Sequence, residues 1–329
     1  MKCVVTGATG FIGNKLCEVL ADDGHQVIAM QRGDCHLPHV IENYRVDFAV
    51  EPLQLPSMDG VDVVFHLAGI AHQMAVADDY YQVNCQATLS LARHAAQQGA
   101  KHFVFLSSTK AMGNNTGCDI RSEADLGPTT IDIYGDSKRR AEKALENFAT
   151  QTSMAITCVR PPLVFGRGVK GNMLALVKAG LRGVPRPALA GELSMVSLQD
   201  LVDGLLVLGT HSAVGYRCFI VCDNEAYSAQ RILDAVVVAK GRTPASWSIP
   251  LILCRLACWL RALVNGSFGA NKKEGTYHKL FGQSLFSNAA FQQQTGWHPR
   301  QSLELIMPEI IEYLSKDVSS DFGNGSGLR

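Results

Sequence analysis

This chain of 329 residues has no excess charge of either sign: Lys plus Arg number 30 and Asp plus Glu number 30. Nucleic-acid interfaces need clustered positive charge, so no nucleic-acid partner is expected. Long hydrophobic runs are missing as well. The most apolar stretch, Ile249 to Val264, is interrupted by Arg255 and Arg261, and it falls short of the roughly 20 apolar residues that cross a bilayer. No membrane span is expected. The stretch reads as an amphipathic helix packed on its own domain, with a helix lying on a membrane surface as the second reading. The ten cysteines contain no C-x-x-C pair and no partner at zinc-finger spacing, which predicts reduced thiols and no metal site. Cys3, Cys17, Cys218 and Cys222 stand in apolar, core-like runs. Reduced thiols suit a cytoplasmic protein. A single Lys precedes the first strand-like run, which is not the pattern of a signal peptide. Neither an internal repeat nor a low-complexity linker is visible.

What is present is apolar residue in quantity: 47% of the chain is hydrophobic and 18% charged, enough for a sizeable core and too much for disorder. In the first half, short β-branched runs alternate with helical patterns. Strands are expected at Lys2 to Thr6, Gln26 to Met30, Val61 to Leu67, Lys101 to Leu106 and Ile156 to Val159. Helices are expected at Gly13 to Asp22, Ala87 to Gln98 and Tyr134 to Thr150. Continuous apolar strands separated by helices imply a parallel sheet covered on both faces. The fold class that follows is α/β, a Rossmann-type doubly wound parallel sheet. After Arg160 the segments become shorter and more mixed, which suggests a smaller C-terminal substrate-binding lobe. The expected division is 1–165 for a dinucleotide-binding domain and 166–314 for the lobe, with some return to the sheet. The Ser- and Gly-rich end, 315–329, is expected to fray.

The turn after the first strand carries the first chemistry. Gly7, Gly10 and Gly13 occur in Thr6-Gly7-Ala8-Thr9-Gly10-Phe11-Ile12-Gly13, between a strand and a helix. Gly7 permits the tight turn, Gly10 a close approach of backbone to a pyrophosphate, and Gly13 close helix–sheet packing. The helix N-terminus adds free N–H groups and a positive dipole end. Strand, spacing and helix together point to a dinucleotide. Further along, Tyr134 and Lys138 are one helical turn apart and share a face.

The G-x-x-G-x-x-G spacing resembles that of the extended short-chain dehydrogenases, the NAD-dependent epimerase/dehydratase type. Other segments match that family in order: His66-Leu67-Ala68-Gly69, Asn84 within Val83-Asn84-Cys85, Ser107-Ser108-Thr109, Tyr134-Gly135-Asp136-Ser137-Lys138, and Arg160-Pro161-Pro162-Leu163-Val164-Phe165-Gly166. Gly296-Trp297-His298-Pro299, followed by Ser302-Leu303-Glu304, resembles the C-terminal end of sugar-nucleotide members. The resemblance runs from Lys2 to about Leu314. It implies an enzyme whose cofactor, NAD or NADP, is held by Gly7, Thr9, Gly10, Phe11, Ile12, Gly13, Arg32, Asp47, Leu67, Ala68, Gly69, Asn84, Tyr134, Lys138 and Pro161. Asp47 is implied at the adenine amino group and Lys138 at the cofactor ribose.

Catalysis falls to Ser108, Tyr134 and Lys138. A phenol titrates near pH 10, and a nearby ammonium and a cationic nicotinamide are expected to favour its ionised form. Tyr134 then moves a proton to or from a sugar hydroxyl while Ser108 hydrogen-bonds the same oxygen. Family dehydratases carry an Asp-Glu pair after the catalytic Ser or Thr. Here Thr109 and Lys110 stand there, so 4,6-dehydration is not expected. NAD users place an acid after the second strand. This chain has Gln31 and Arg32, with Asp34 close by, which leans to NADP and keeps NAD open.

Substrate contacts are implied at Ser108, Thr109, Lys170 and Asn172, the last two in a segment that looks like the one meeting the diphosphate of a nucleotide-linked sugar. The expected reaction is reduction at C4 of a UDP-linked 4-keto-6-deoxy-N-acetylhexosamine in surface-polysaccharide synthesis. A UDP-hexose or UDP-N-acetylhexosamine 4-epimerase is the alternative, and a non-catalytic NAD(P)-binding redox sensor the third reading. Ala141, Ala144, Leu145 and Phe148 furnish either a homodimer face, as family members use, or packing against their own sheet.

Overall fold

The computed structural model describes the chain except residues 35, 72–75, 114–119, 128–131, 190, 212–213, 255, 257–281 and 324–329, and gives backbone alone for 317–323. Two compact units emerge. The first comprises Met1–Pro162, Leu198–Asp223 and Phe286–Pro299; the second comprises Leu163–Ser197, Asn224–Leu285 and Arg300–Arg329.

The first unit begins with β1 (Lys2–Thr6), α1 (Phe11–Asp22), β2 (Gln26–Gln31), β3 (Glu42–Arg45) and β4 (Val63–His66). Next come α2 (Ala77–Tyr81), a π-helical turn at Gln82–Gln86, α3 (Ala87–Gln97), β5 (His102–Leu106), a 3-10 turn at Thr109–Met112 and the short β6 (Ile120–Arg121). The helix α4 (Ile133–Ala149) and the strand β7 (Ala155–Arg160) complete the first stretch. Seven strands form one sheet in the order β10-β7-β5-β4-β1-β2-β3, where β10 is Tyr216–Ile220. Every pair in it is parallel, as expected for a Rossmann-type doubly wound sheet.

The continuous apolar runs have a simple cause. All residues of β4 and β7 are buried, because helices cover both faces. On one face Val4, Ile28, Val64, Phe103 and Ile156 pack with Leu91 and Ala95 of α3 and with Ala141 and Leu145 of α4. Ala141 and Leu145 are thus spent in their own core. Of the two uses the sequence allows, packing on their own sheet takes these residues, because their stripe on α4 is what faces the strands. The helices α1 and α6 (Leu198–Thr210) pack on one another.

Strand order reverses between β1 and β4, which run outward to opposite edges. Their C-terminal ends open the crevice where such sheets take ligands. The Gly-rich turn follows β1 and Leu67 to Gly69 follows β4, so both lie at that point.

In the second unit, β8 (Leu163–Phe165), β9 (Leu193–Ser197) and β11 (Ala226–Tyr227) make a small sheet in the order β11-β9-β8. The rings of Phe165 and Tyr227 meet at a tilt of 59°, their centroids 5.7 Å apart. The helices α5 (Gly171–Leu181) and α7 (Ala229–Ala239) meet where Gly180 lies against Val236. A Cβ at Gly180 would stand 3.0 Å from the Val236 side chain, so glycine permits that contact. The last helix, Leu303–Gly323, continues past Ser315, where the composition predicts fraying. Of the apolar stretch Ile249 to Val264, residues 255 and 257–264 lie outside the described residues.

Candidate cofactor and catalytic site

The turn after β1 is built around missing side chains. Gly7 has φ +64°, and its N–H donates to Met30 O at 2.9 Å. A Cβ there would stand 2.9 Å from Ala68 N, and one at Gly13 would stand 2.2 Å from Gly7 O. No real Cβ tolerates such contacts, so Gly7 and Gly13 are sterically required. The N-cap of α1 is Gly10, which has no side chain to accept from the first turn, and no acid stands in that turn. The N–H groups of Phe11, Ile12 and Gly13 therefore face outward without a capping partner from the helix itself. A cradle of this shape and polarity fits a pyrophosphate. Thr9 and Gly10 are exposed on its rim.

Behind the cradle runs a buried chain of neutral groups. Thr6 Oγ1 accepts from Leu67 N–H at 3.1 Å and from Ala68 N–H at 3.0 Å. Both lone pairs are then used, so its hydroxyl donates to His66 Nδ1 at 2.8 Å. That fixes the proton of His66 on Nε2, which donates to Thr88 Oγ1 at 2.9 Å. Thr88 in turn donates to Asn84 O at 2.9 Å. Burial, helped by the Lys138 charge, pushes the His66 pKa down to about 3, so the ring stays neutral.

Asn84 sits in the π-helical turn, a feature common at functional sites. Its Oδ1 accepts from Ile70 N–H at 2.8 Å, and its Nδ2 donates to Ile70 O at 3.0 Å and to Ser137 Oγ at 2.9 Å. One side chain thereby ties the Leu67–Ile70 loop to α4. Gly69 fills the gap between them: a Cβ there would stand 2.8 Å from Asn84 Oδ1 and 3.3 Å from Lys138 Nζ. Asp132 caps α4 by accepting from Tyr134 N–H at 3.2 Å.

Ser108, Tyr134 and Lys138 converge in the first unit. Ser108 accepts from Lys110 N–H at 3.2 Å and stands close enough to the Tyr134 phenol to lower its pKa. Lys138 Nζ donates to Leu106 O at 2.9 Å and lies 4.4 Å from the Phe105 ring centroid. Burial lowers its pKa to about 8, while the Glu142 carboxylate works against the drop. Burial pushes the phenol of Tyr134 up to about 12, the charges of Asp132 and Tyr80 add to the rise, and the Ser108 hydroxyl opposes it. The Lys138 ammonium is turned to Leu106 O.

A second buried network was not legible in the sequence. Glu142, one turn beyond Lys138, takes a two-pronged bond from Arg160, Nε to Oε1 at 2.9 Å and Nη2 to Oε2 at 2.7 Å. The Ser107 hydroxyl donates to the same carboxylate. Arg160 Nη1 also donates to Glu123 O at 3.0 Å. This pins the strand end carrying Ser108 to the helix carrying Tyr134 and Lys138. A lone acid at Lys138 plus four, on a face otherwise buried, is the signal that points to Glu142.

The remaining residues are placed as follows. Arg32 is exposed just beyond β2. Asp47 is exposed, and its Oδ1 accepts from Ala49 N–H at 3.0 Å. Pro161 is buried, and its carbonyl accepts from Thr109 N–H at 3.1 Å; Thr109 itself is buried. Lys170 and Asn172 are exposed at the start of α5, in the second unit.

Residues 3–216 match the model of the NAD dependent epimerase/dehydratase family. The chain belongs to this family. It is 30% identical over 321 residues to a protein of Vibrio cholerae called UDP-glucose 4-epimerase, covering 92% of each chain. It is 31% identical over 256 residues to a 2-alkyl-3-oxoalkanoate reductase of Stenotrophomonas maltophilia, covering 73% of this chain and 76% of the other. Among solved structures it is similar to MoeE5 in complex with UDP-glucose and NAD, with a TM-score of 0.74, 22% identity, and coverage of 97% and 100%. This epimerase/dehydratase-family chain is an enzyme with a nicotinamide dinucleotide cofactor, and its fold is the Rossmann-type sheet expected. Among the described residues no helix is long and apolar enough to cross a membrane.

Proposed function

We propose that this enzyme reduces the C4 ketone of a UDP-linked 4-keto-6-deoxy-N-acetylhexosamine in the cytoplasm, as a step of surface-polysaccharide synthesis. The first unit holds the cofactor in this reading, through the Gly7–Gly13 cradle with Leu67, Ala68, Gly69, Asn84 and Pro161. Lys170 and Asn172 are the residues this reading assigns to the diphosphate of the sugar nucleotide. The bound cofactor supplies the hydride that C4 takes up. Tyr134 gives its phenolic proton to the C4 oxygen, turning the carbonyl into an alcohol. Ser108 donates a hydrogen bond to the same oxygen, Thr109 lines the sugar, and Lys138 holds the ribose.

The observation that supports the direction is the end of β2, where Gln31 and the exposed Arg32 stand in place of the acid that takes the ribose diol in NAD users. That favours NADPH, which a reductase consumes at each turnover, whereas an epimerase regenerates its NAD in place. Thr109 and Lys110 follow Ser108, so no acid is placed there to protonate a leaving hydroxyl. The epimerase remains the second reading because of the likeness to the Vibrio cholerae protein. A homodimer belongs to the proposal, with a face other than Ala141 and Leu145.

The test is a purified enzyme mixed with reduced cofactor and the freshly made 4-keto sugar nucleotide. Oxidation of cofactor in step with sugar reduction is expected, falling about 10²–10⁴-fold in Tyr134→Phe. C4 inversion of a UDP-hexose with no net use of cofactor would move the assignment to the epimerase. Binding of dinucleotide with no turnover of either substrate class would favour a sensor.

A further inference from the structure

We propose that Arg32 and Arg45 form a phosphate-binding pair that selects the 2′-phosphorylated dinucleotide, NADP(H), over NAD(H). The inference rests on the reading that the Gly7–Gly13 cradle holds the pyrophosphate. Gly7 N–H is bonded to Met30 O, so the end of β2 lies directly beside the cradle. The next residue, Gln31, is neutral and buried. An acid at the end of this strand is what takes the ribose diol in NAD users, and here the strand ends without one.

Two cations flank that position. Arg32 follows Gln31 and is exposed. Arg45 is the register partner of Gln31 across the parallel β2–β3 pair. The pairing is prolonged when Val46 N–H donates to Gln31 O at 2.9 Å, which keeps the two strand ends together. Neighbouring strands lie about 5 Å apart, within the span that two arginine side chains can close around one phosphate.

The nearby carboxylate of Asp34 does not offset this. It is 3.3 Å from Arg45 Nη1, with the two side chains 79% and 70% exposed. A pair so exposed holds weakly. Asp34 thus keeps the guanidinium near the strand end until a stronger anion arrives. A phosphomonoester carries about −1.5 to −2 charges at neutral pH, and the planar guanidinium fork matches its oxygens. A family named for NAD thus contains a chain whose own β2 and β3 ends are built for the phosphorylated cofactor.

Calorimetric titration of the whole protein with NADP+, NAD+ and 2′,5′-ADP, without sugar substrate, tests this. NADP+ is expected to bind at least about tenfold more tightly than NAD+, a ratio set by one charged contact. Arg32→Ala should weaken NADP+ and 2′,5′-ADP by about tenfold or more while NAD+ moves less than about threefold. Arg45→Ala should act in the same direction to a smaller extent, and both exposed sites leave the fold intact. Equal or tighter binding of NAD+ overturns the proposal, as does an Arg32→Ala variant that weakens both dinucleotides alike. Should neither dinucleotide bind, the cradle reading fails and this inference with it. Selective NADP+ binding in an enzyme that reduces no 4-keto sugar would leave the phosphate pair standing and overturn only the substrate assignment.

Discussion

Two buried polar networks flank α4, and they differ in kind. Behind the Gly-rich turn, Thr6, His66, Thr88 and Asn84 are linked by hydrogen bonds between neutral groups. Behind Ser108, Glu142 and Arg160 form a buried ion pair joined by Ser107. The neutral chain joins β1, β4 and the π-helical turn; the ionic one joins β5, β7 and α4. A neutral network leaves the potential around the pyrophosphate cradle to the helix N-terminus. An ionic network places a fixed carboxylate one turn from Lys138, where it supports the ammonium against burial. In the proposed reading the first network shapes a binding surface, and the second both shapes and charges a catalytic one.

The two should break differently. The largest effect is expected from Arg160→Met, which leaves Glu142 buried without its counter-charge. Truncating one side of such a pair costs about 3–5 kcal/mol, to be read from urea unfolding. Replacing both partners, Glu142→Leu with Arg160→Met, should recover most of that loss, because the uncompensated charge is gone. The comparison collapses if the single variant stays within about 1 kcal/mol of the parent.

The neutral network, and with it a second buried imidazole at His102, should break with pH. His66 is held at about 3 and His102, also buried, at about 4. Both values lie below the unfolded value near 6.5. The unfolded chain therefore takes up protons that the folded chain refuses. The stability that neutral rings confer is complete above about pH 6.5 and declines as pH falls toward 4 and then 3. Each ring should contribute a loss of about 2 kcal/mol between pH 6.5 and 5. Unfolding midpoints that stay flat over this interval would show that the rings accept protons in place. His102→Gln should remove about half of the slope and leave the share of His66.

These two networks were unequally legible in the chain. Ser108, Tyr134 and Lys138 could be found because short spacings carry them, a strand end and a single helical turn. His66 and Asn84 lay within recognisable segments, but their linkage through Thr6 and Thr88 needed the strand order, since Thr6 and His66 are 60 residues apart. Glu142 and Ser107 are 35 residues apart, and nothing local marks either as a partner of the other. The π-helical turn before α3 has no periodic signature in the sequence. In the main sheet, buried strands of four to six residues could be read from continuous apolar runs. In the second unit β11 has two residues and β8 three, too few for any period to show.

The outer face of α4 gives the smallest expected effect and the sharpest contrast with the buried pair on the same helix. Arg140 Nε meets Asp136 Oδ2 at 2.7 Å, with side chains 60% and 39% exposed, and the guanidinium lies 5.6 Å from the Tyr81 ring centroid. The distance resembles that of the Arg160–Glu142 contact, yet solvent screens it. Arg140→Ala should change stability by no more than about 0.5 kcal/mol. A much larger loss would mean that something other than water covers this face. If that loss also grew on dilution, the cover would be a second copy of the chain, and a homodimer through α4 would follow with Arg140 in its interface. A small loss at every concentration would place any such contact elsewhere on the molecule and leave burial, not bond length, as what separates the two ion pairs.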